Sequence, residues 1–239
     1  MTLKQKIKRF LINFLIKIPL KPIKKIQIIN GFLEYGLFIR RQKNIEKFSD
    51  KFKMYDYVNS ILSDKPILYL EFGVFEGLTF KYWVELNKNP DSQFFGFDSF
   101  EGLPEDWKGI GTIYKKGTFD TKGNIPVIND LRVKFIKGIF QNTLLKFLDE
   151  NSNIFFDKQL IIHLDADLYS SELFVLCQLF KYLKPGTVLI FDDFSVPNHD
   201  FRAFTDWSMS HLIDYEVIGF TIPNYIQAAI KIKEIRNNY

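Results

Sequence analysis

Hydrophobic and polar positions along the 239-residue chain fall into three regimes. In the first, Leu3, Ile7, Phe10, Phe14 and Ile18 recur at helical spacing among Lys4, Lys6, Lys8, Arg9 and Lys17. This predicts an amphipathic basic helix, interrupted by Pro19 and Pro22. In the second, residues 32–62 keep a helical period with a break at "FSD" and close on the turn signal "SDKP". In the third, from Ile67 onward, the runs "ILYLEFG", "QFFGFDS", "VKFIKGI", "LIIHLDAD" and "TVLIFDDF" alternate with longer helical patterns such as "EGLTFKYWVELNKN" and "SSELFVLCQLFKYL". Runs apolar on both faces and linked by helices predict a parallel sheet with helices on either side. "YEVIGFTI" and "YIQAAIKI", around Pro223 and Asn224, predict an antiparallel hairpin at a sheet edge. The expected fold is α/β, a doubly wound, mostly parallel sheet of seven strands. A helical extension covers 1–62 and the functional domain 63–239. Residues 99–130, rich in Gly, Pro and Lys, make a connection long enough to suggest a lid.

A hydrophobic content of 46% is ample for a core and excludes a disordered chain. The single cysteine, Cys177, excludes an internal disulfide, is expected in the core, and fits a reducing cytoplasm. The net charge of +4 is unevenly placed: residues 1–33 hold eight Lys or Arg and no acid, leaving 24 basic against 28 acidic groups elsewhere. A nucleic-acid partner is therefore not indicated. Lys17 interrupts the N-terminal apolar run, which falls short of the roughly 20 residues needed to span a bilayer, and no small-residue cleavage site follows. Two readings of residues 1–25 stand: a segment resting on anionic lipid at the inner membrane surface, or a helix packed on the core or on a second subunit. The N-terminal helices also make a homodimer an expectation.

In doubly wound sheets ligands bind outside the carboxyl ends of the strands, where the strand order reverses. The expected strand tips carry Glu71 with Gly73 and Gly77, then Asp98, then Gly138, then Asp165 and Asp167, then Asp192 and Asp193. An Asp at a strand end often only caps the next turn or helix, but here nearly every tip is polar or glycine. Glycines after the first strand allow close approach to the main chain, and a helix starting near Gly77 would aim free N–H groups at a ligand. Asp98 follows Gly77 by 21 residues, the distance at which a nucleotide-binding unit places an acid on ribose hydroxyls. The loop is G-x-x-x-G, whereas a nicotinamide fold would want G-x-G-x-x-G.

"LEFGVFEG", "FGFDSFEGLPEDW", "KGIFQNTL" and "HLDADLYSSELFVLCQLFKYLKPGTVLIFDDF" together resemble the macrocin O-methyltransferase family of S-adenosylmethionine-dependent enzymes, over roughly residues 66–205. The resemblance implies a Rossmann-like methyltransferase fold. It places Glu71, Phe72, Gly73 and Gly77 at the methionine end of the cofactor, with Glu71 facing the cationic end directly or through water. It places Asp98 and Ser99 at the ribose, Gly138, Ile139, Phe140 and Gln141 near adenine, and Asp165 beside the cofactor.

Asp165 and Asp192 lie 27 residues apart, yet neighbouring parallel strands would bring them to one spot with Asp193. Two like charges ~4 Å apart repel by about 4 kcal/mol at an effective dielectric near 20, so such a group must protonate or capture a cation. With no Cys or His placed to join them, the donors are all oxygen, which suits Mg²⁺ or Mn²⁺; capping is the alternative for Asp192 or Asp193. The resemblance implies the same metal ligands, Asp165, Asp192 and Asp193. The ion would chelate the acceptor, lower the pKa of its reacting hydroxyl and hold it in line with the sulfonium methyl. Catechol-methylating relatives carry a lysine three residues after the metal aspartate, where this chain has Leu168, so the base is open among Asp165, Asp167 and His199. His163 reads as a strand histidine satisfied by its neighbours, and Arg202 as either an anion contact or a surface ion pair.

The expected function is a cytoplasmic, divalent-metal-dependent O-methyltransferase acting on a sugar hydroxyl. The acceptor would be a nucleotide-activated sugar or glycan precursor of surface polysaccharide or natural-product biosynthesis. The rivals are a glycosyltransferase using the D-x-D pattern of Asp165 and Asp167, a membrane-surface or partner-binding module on a non-catalytic nucleotide fold, and, last, a nicotinamide-dependent oxidoreductase.

Overall fold

The computed structural model describes residues 2–62, 65–109 and 112–235, with the backbone alone over 20–24. The first segment forms α1 (Leu3–Leu15) and α2 (Leu20–Arg41), followed by a short strand β1 (Glu46–Phe48) and α3 (Lys51–Ile61). Thereafter come β2 (Ile67–Phe72), α4 (Leu78–Leu86), β3 (Gln93–Asp98), a small hairpin of β4 (Trp107–Lys108) and β5 (Ile113–Tyr114), β6 (Val133–Lys137) and α5 (Phe140–Glu150). The chain closes with β7 (Gln159–Leu164), α6 (Tyr169–Leu179), β8 (Val188–Phe191), α7 (Asp200–Ser210), β9 (Ile213–Thr221) and β10 (Ala228–Ile235).

The main sheet runs β1-β9-β10-β8-β7-β2-β3-β6. β8, β7, β2, β3 and β6 are mutually parallel, and β10 is antiparallel to both β8 and β9. This is the expected doubly wound sheet with one strand more than the seven expected. The eighth, β1, pairs parallel to β9 and covers its outer edge, so the expected edge hairpin is not itself the edge. A three-residue strand is too short to show a period, and it lies at the "FSD" break. From β2 the chain builds outward to β3 and β6, then returns to the other side of β2 for β7 and β8. The order therefore reverses between β2 and β7, where the crevice of such a fold opens.

Side-chain alternation sorts the core into two layers. Leu68, Leu70 and Phe72 of β2 join Phe95 and Phe97, Leu160, Ile162 and Leu164, and the buried faces of α5, α6 and α7. Ile67 and Tyr69 join Phe94, Ile161, Val188 and Ile190 with Met54, Tyr55 and Val58 of α3 and Phe80, Trp83 and Val84 of α4. β1 and α3, inside the segment expected as the extension, thus belong to the sheet and its core. α6 faces inward with Val175, Leu176 and Leu179. Cys177, expected in the core, consequently faces outward and is exposed.

Candidate active site

One cavity of about 290 Å³ lies at the switch point between β2 and β7. Its lining includes Gly73, Phe75, Asp98, Ser99, Ile139, Phe140 and Gln141, and also Asp165, Ala166, Asp167, Ser171, Asp192 and Asp193. The tips of β2, β3, β6, β7 and β8 therefore meet around one space, as their polar ends predicted. Gly102, Leu103, Pro104 and Phe119 complete it from the 99–130 connection.

That connection is a folded cover. Leu103 N–H donates to Thr118 O and Gly117 N–H to Leu103 O, both at 2.9 Å, which closes the β4–β5 flap on itself. Ser170 Oγ donates to Glu105 Oε1 at 2.6 Å, fastening the flap to α6. Trp107 stacks on His199 with ring centroids 5.5 Å apart.

Gly73 sits at φ +93°, and a Cβ there would lie 1.8 Å from Asp165 O. Glycine is thus demanded first by the tip of β7 packing against the loop, and the bare backbone it leaves lines the cavity. Asp98 Oδ2 accepts from Val74 N and Phe75 N at 2.7 and 2.8 Å, and Oδ1 accepts from Phe100 N at 2.7 Å. The carboxylate shapes the first loop while it lines the cavity. Gly77 takes φ +79° as N-cap of α4, as expected, but does not line the space. Gly138, at φ +141°, and Phe72, fully buried against Phe97, also stand behind the cavity wall.

Glu71 requires a correction. It has the parity of Ile67 and Tyr69, so it points into the layer beneath α3 and α4 and is 0% exposed. Its carboxylate accepts from Tyr69 OH and from Thr79 Oγ1, the latter at 2.8 Å. His163 pairs with Glu71 in register, its Nδ1 2.7 Å from Tyr69 OH and its Nε2 3.4 Å from Tyr55 OH. Tyr55 OH in turn reaches Asp192 Oδ1 at 3.4 Å. Glu71 is thus the inner end of a buried polar chain running under the cavity to Asp192, and it does not line the cavity. His163 is satisfied by neighbours, as expected.

At the acid end, ligand atoms of His163, Asp165 and Asp192 lie within 4.8 Å of one another, so a histidine ring nitrogen joins a group expected to be all oxygen, brought there because β7 carries His163 two residues before Asp165. Asp193 stands outside that group and hydrogen bonds with Asp167. Burial, then Asp192, holds the Asp165 carboxyl well above the usual carboxylate range. Burial and Asp193 push Asp167 up to about 8, and burial and Asp192 raise Asp193. Asp167 also takes φ +61°, a left-handed conformation that aspartate tolerates better than most residues. Two further buried acids support these loops: Glu172 Oε1 accepts from Ala166 N at 3.1 Å, and Asp200 Oδ2 from Asp193 N at 3.2 Å. Glu172 Oε2 and Asp200 Oδ1 have no partner among the described residues.

The residue that sequence reasoning missed is Lys51. Its Nζ lies 3.1 and 3.2 Å from the two oxygens of Asp192, against the acid cluster. Burial opposes its charge, but Asp192 and Asp165 together keep the ammonium above its usual range. Leu168, at the position of the relatives' lysine, is buried with Leu103 and Trp107. The cation comes instead from the first turn of α3, capped by Asp50 accepting from Lys53 N at 3.0 Å. A lysine there is unfavourable against the helix dipole, the one sequence-level hint of a partner.

His199 does not line the cavity. Its Nδ1 accepts from Tyr169 N at 3.2 Å, which leaves the proton on Nε2, 3.4 Å from Lys108 O. Burial lowers its pKa. It holds the flap in place, and Arg202 pairs with Asp206 on α7 at 3.3 Å.

A family model described as macrocin-O-methyltransferase (TylF) matches residues 53–221. The chain belongs to this family. It is accordingly an S-adenosylmethionine-dependent O-methyltransferase, which removes the glycosyltransferase, binding-module and oxidoreductase readings. Among solved structures, CalS11, a calicheamicin methyltransferase, is 20% identical, covers 76% of this chain and 78% of its own, and gives a TM-score of 0.57. NovP, an O-methyltransferase, is 18% identical over 77% and 80%, with a TM-score of 0.57. An apo structure of CalS11, described as a TDP-rhamnose 3'-O-methyltransferase of calicheamicin biosynthesis, is 19% identical over 76% and 78%, with a TM-score of 0.54. At these identities the likeness shows the fold. No curated protein sequence matches the chain.

Proposed function

We propose that this O-methyltransferase methylates a hydroxyl of a sugar, carried by a nucleotide or a glycan precursor, with the help of a divalent cation. Surface polysaccharide or natural-product assembly is the natural setting, and the cytoplasm the compartment. The observation that carries the reading is that one cavity is lined both by Gly73, Asp98, Ser99 and Gln141 and by Asp165, Asp167, Asp192 and Asp193. A sulfonium donor and a polar acceptor would fill adjoining halves. The sugar class is supported by analogy with CalS11, whose acceptor is a TDP-rhamnose.

The donor set fits a hard divalent cation. Asp165 and Asp192 offer carboxylate oxygens within 4.8 Å of each other and of a His163 ring nitrogen, Asp193 lines the same cavity, and the Lys51 ammonium on Asp192 supports a cation there. Asp165 and Asp192, with Asp193, would hold it; bound there, such an ion lowers the pKa of a chelated hydroxyl. Asp98 and the backbone of the Gly73 loop bind the donor, while Phe75 and Phe119, with ring centroids 5.8 Å apart, add an apolar part to the cavity wall. Asp167, which lines the cavity and hydrogen bonds with Asp193, is our assignment for the group that takes the acceptor's proton. The Asp165 carboxylate orients the acceptor.

The test pairs calorimetry with product analysis. S-adenosylmethionine should bind the wild type and Asp165→Asn alike, and mass spectrometry over a panel of nucleotide sugars should find a product one methyl heavier only with the wild type. Chelator should abolish turnover and Mg²⁺ or Mn²⁺ restore it. Turnover indifferent to chelator would remove the metal from the mechanism, and methylation confined to non-sugar hydroxyls would overturn the acceptor class.

A further inference from the structure

The N-terminal helix is the largest feature that the methyl-transfer site does not use. None of the residues of α1 is buried, although Leu3, Phe10 and Phe14 are large and apolar and stand 74%, 69% and 57% exposed. At 100° per residue Leu3, Ile7, Phe10, Leu11 and Phe14 form one stripe, with Lys4 and Lys8 on one flank and Lys6 on the other, backed by Arg9. The helix is a formed element: Thr2 accepts from Gln5 N at 3.4 Å and Gln5 Oε1 accepts from Thr2 N at 2.9 Å, a complete capping box. The domain anchors the chain farther on, where Tyr35 of α2 donates to Tyr225 O at 2.6 Å and packs on Phe201. The apolar stripe of α1 therefore has no intramolecular partner among the described residues.

The charge indicates what covers it. Residues 1–33 hold eight Lys or Arg and no acid, whereas the rest of the chain is net acidic. A second copy would bring an equally basic face against this one, and no acid within the segment could offset it. Lysines flanking an apolar stripe suit an interface where their stems lie on acyl chains and their heads reach phosphate. No helix among the described residues is long and apolar enough to cross a membrane. We propose that α1 lies along the surface of an anionic lipid bilayer, stripe inward, and tethers the methyltransferase there.

The experiment uses the full chain and sedimentation with vesicles of phosphatidylcholine, alone or with 30% phosphatidylglycerol. Binding is expected only to the anionic vesicles and should fade in high salt. Replacing Lys4, Lys6, Lys8 and Arg9 with glutamine should weaken it by about fivefold per charge, at about 1 kcal/mol each. Phe10→Ser with Phe14→Ser should also abolish sedimentation, while S-adenosylmethionine affinity, the folding control, stays unchanged in both variants. Failure of the wild type to sediment with anionic vesicles would overturn the proposal. So would undiminished binding after charge removal, or a doubled mass in light scattering that the two serines return to monomer, which would assign the stripe to a second copy.

Discussion

Replacing Lys51 with methionine tests whether the acid cluster is built to hold a cation. The substitution keeps the apolar stem and removes an ammonium 3.1 Å from Asp192, in a pair whose side chains are 24% and 15% exposed. The bare Coulomb attraction at that distance is about 5 kcal/mol at an effective dielectric of 20. Part is cancelled because the variant no longer has to dehydrate the ammonium, so the net loss falls between the ≤ ~1 kcal/mol of exposed pairs and the roughly 3–5 of buried ones. About 2–3 kcal/mol is the reasoned value, which at ~2–4 °C per kcal/mol for a chain of this size lowers Tm by about 5–10 °C in chelator. In saturating Mg²⁺ the deficit should shrink by at least about half, because the ion supplies the missing charge and stabilises the folded form by mass action. Calorimetric titration should show Mg²⁺ binding at least about tenfold tighter to the variant, which has no lysine to displace; Lys51→Arg should behave as the wild type. Equal Tm deficits with and without Mg²⁺, together with equal affinities, would refute the reasoning: Lys51 would then be a structural partner of Asp192 and the cluster no cation site.

Three further outcomes follow from the same geometry. Gly73→Ala meets Asp165 O at 1.8 Å and a φ of +93°, so the variant should fold poorly or lose cofactor binding, whereas Gly117→Ala, with open space around its Cβ, should lose stability only through its own φ of +83°. Thermal melts and calorimetry compare the two, and similar behaviour would show that the β2 and β7 tips are not in close contact. Asp98→Asn would turn an amide N–H toward both Val74 N and Phe75 N, or give up the bond to Phe100 N; S-adenosylmethionine affinity should drop by at least about tenfold, about 1.4 kcal/mol, and an unchanged affinity would leave Asp98 a loop brace only. Burial lifts Glu172 from its ordinary 4.5 to about 8. The unfolded chain releases this proton above about 4.5 while the folded one keeps it to about 8, so metal-free stability should fall as pH rises between those values and level off above. Glu172→Gln keeps the acceptor for Ala166 N and should make that slope shallower by one proton's share in denaturant melts, the raised Asp165, Asp167 and Asp200 supplying the remainder; an unaltered slope would take Glu172 out of it.

How far the site could be foreseen depended on the range of the interaction behind each residue. Buried strands announce themselves as apolar runs, and what breaks the run lies at the tip, so Gly73, Asp98, Asp165, Asp167, Asp192 and Asp193 were legible one strand at a time, and the doubly wound topology then brought them together. The direction of Glu71 needed one step more: its alternation puts it with Tyr69, but whether that face is open or roofed depends on α3, which the helical period of 32–62 did not assign to the core. Lys51 was hidden for the same reason, since its partner lies 141 positions away and no local period connects them. Cys177 went astray because a helix with apolar residues on most of its circumference does not say which face meets the sheet.

Once α3 is in place, the misses at Glu71 and Lys51 become one consequence. Glu71 and His163 pair across β2 and β7 on a face otherwise made of Tyr69, Ile161 and aromatic rings, and a carboxylate 0% exposed there must find donors within the layer. Tyr69 and Thr79 supply them from the strand and from α4, while Tyr55 and Lys51, four residues apart on α3, extend the polar line to Asp192. α3, at the start of the stretch the family model matches, therefore sets both the cation opposite the acids and the buried hydrogen bonds that orient them. On this argument removal of α1 should spare the domain, whereas loss of α3 should take Lys51 and Tyr55 from Asp192 and Met54, Tyr55 and Val58 from one core layer.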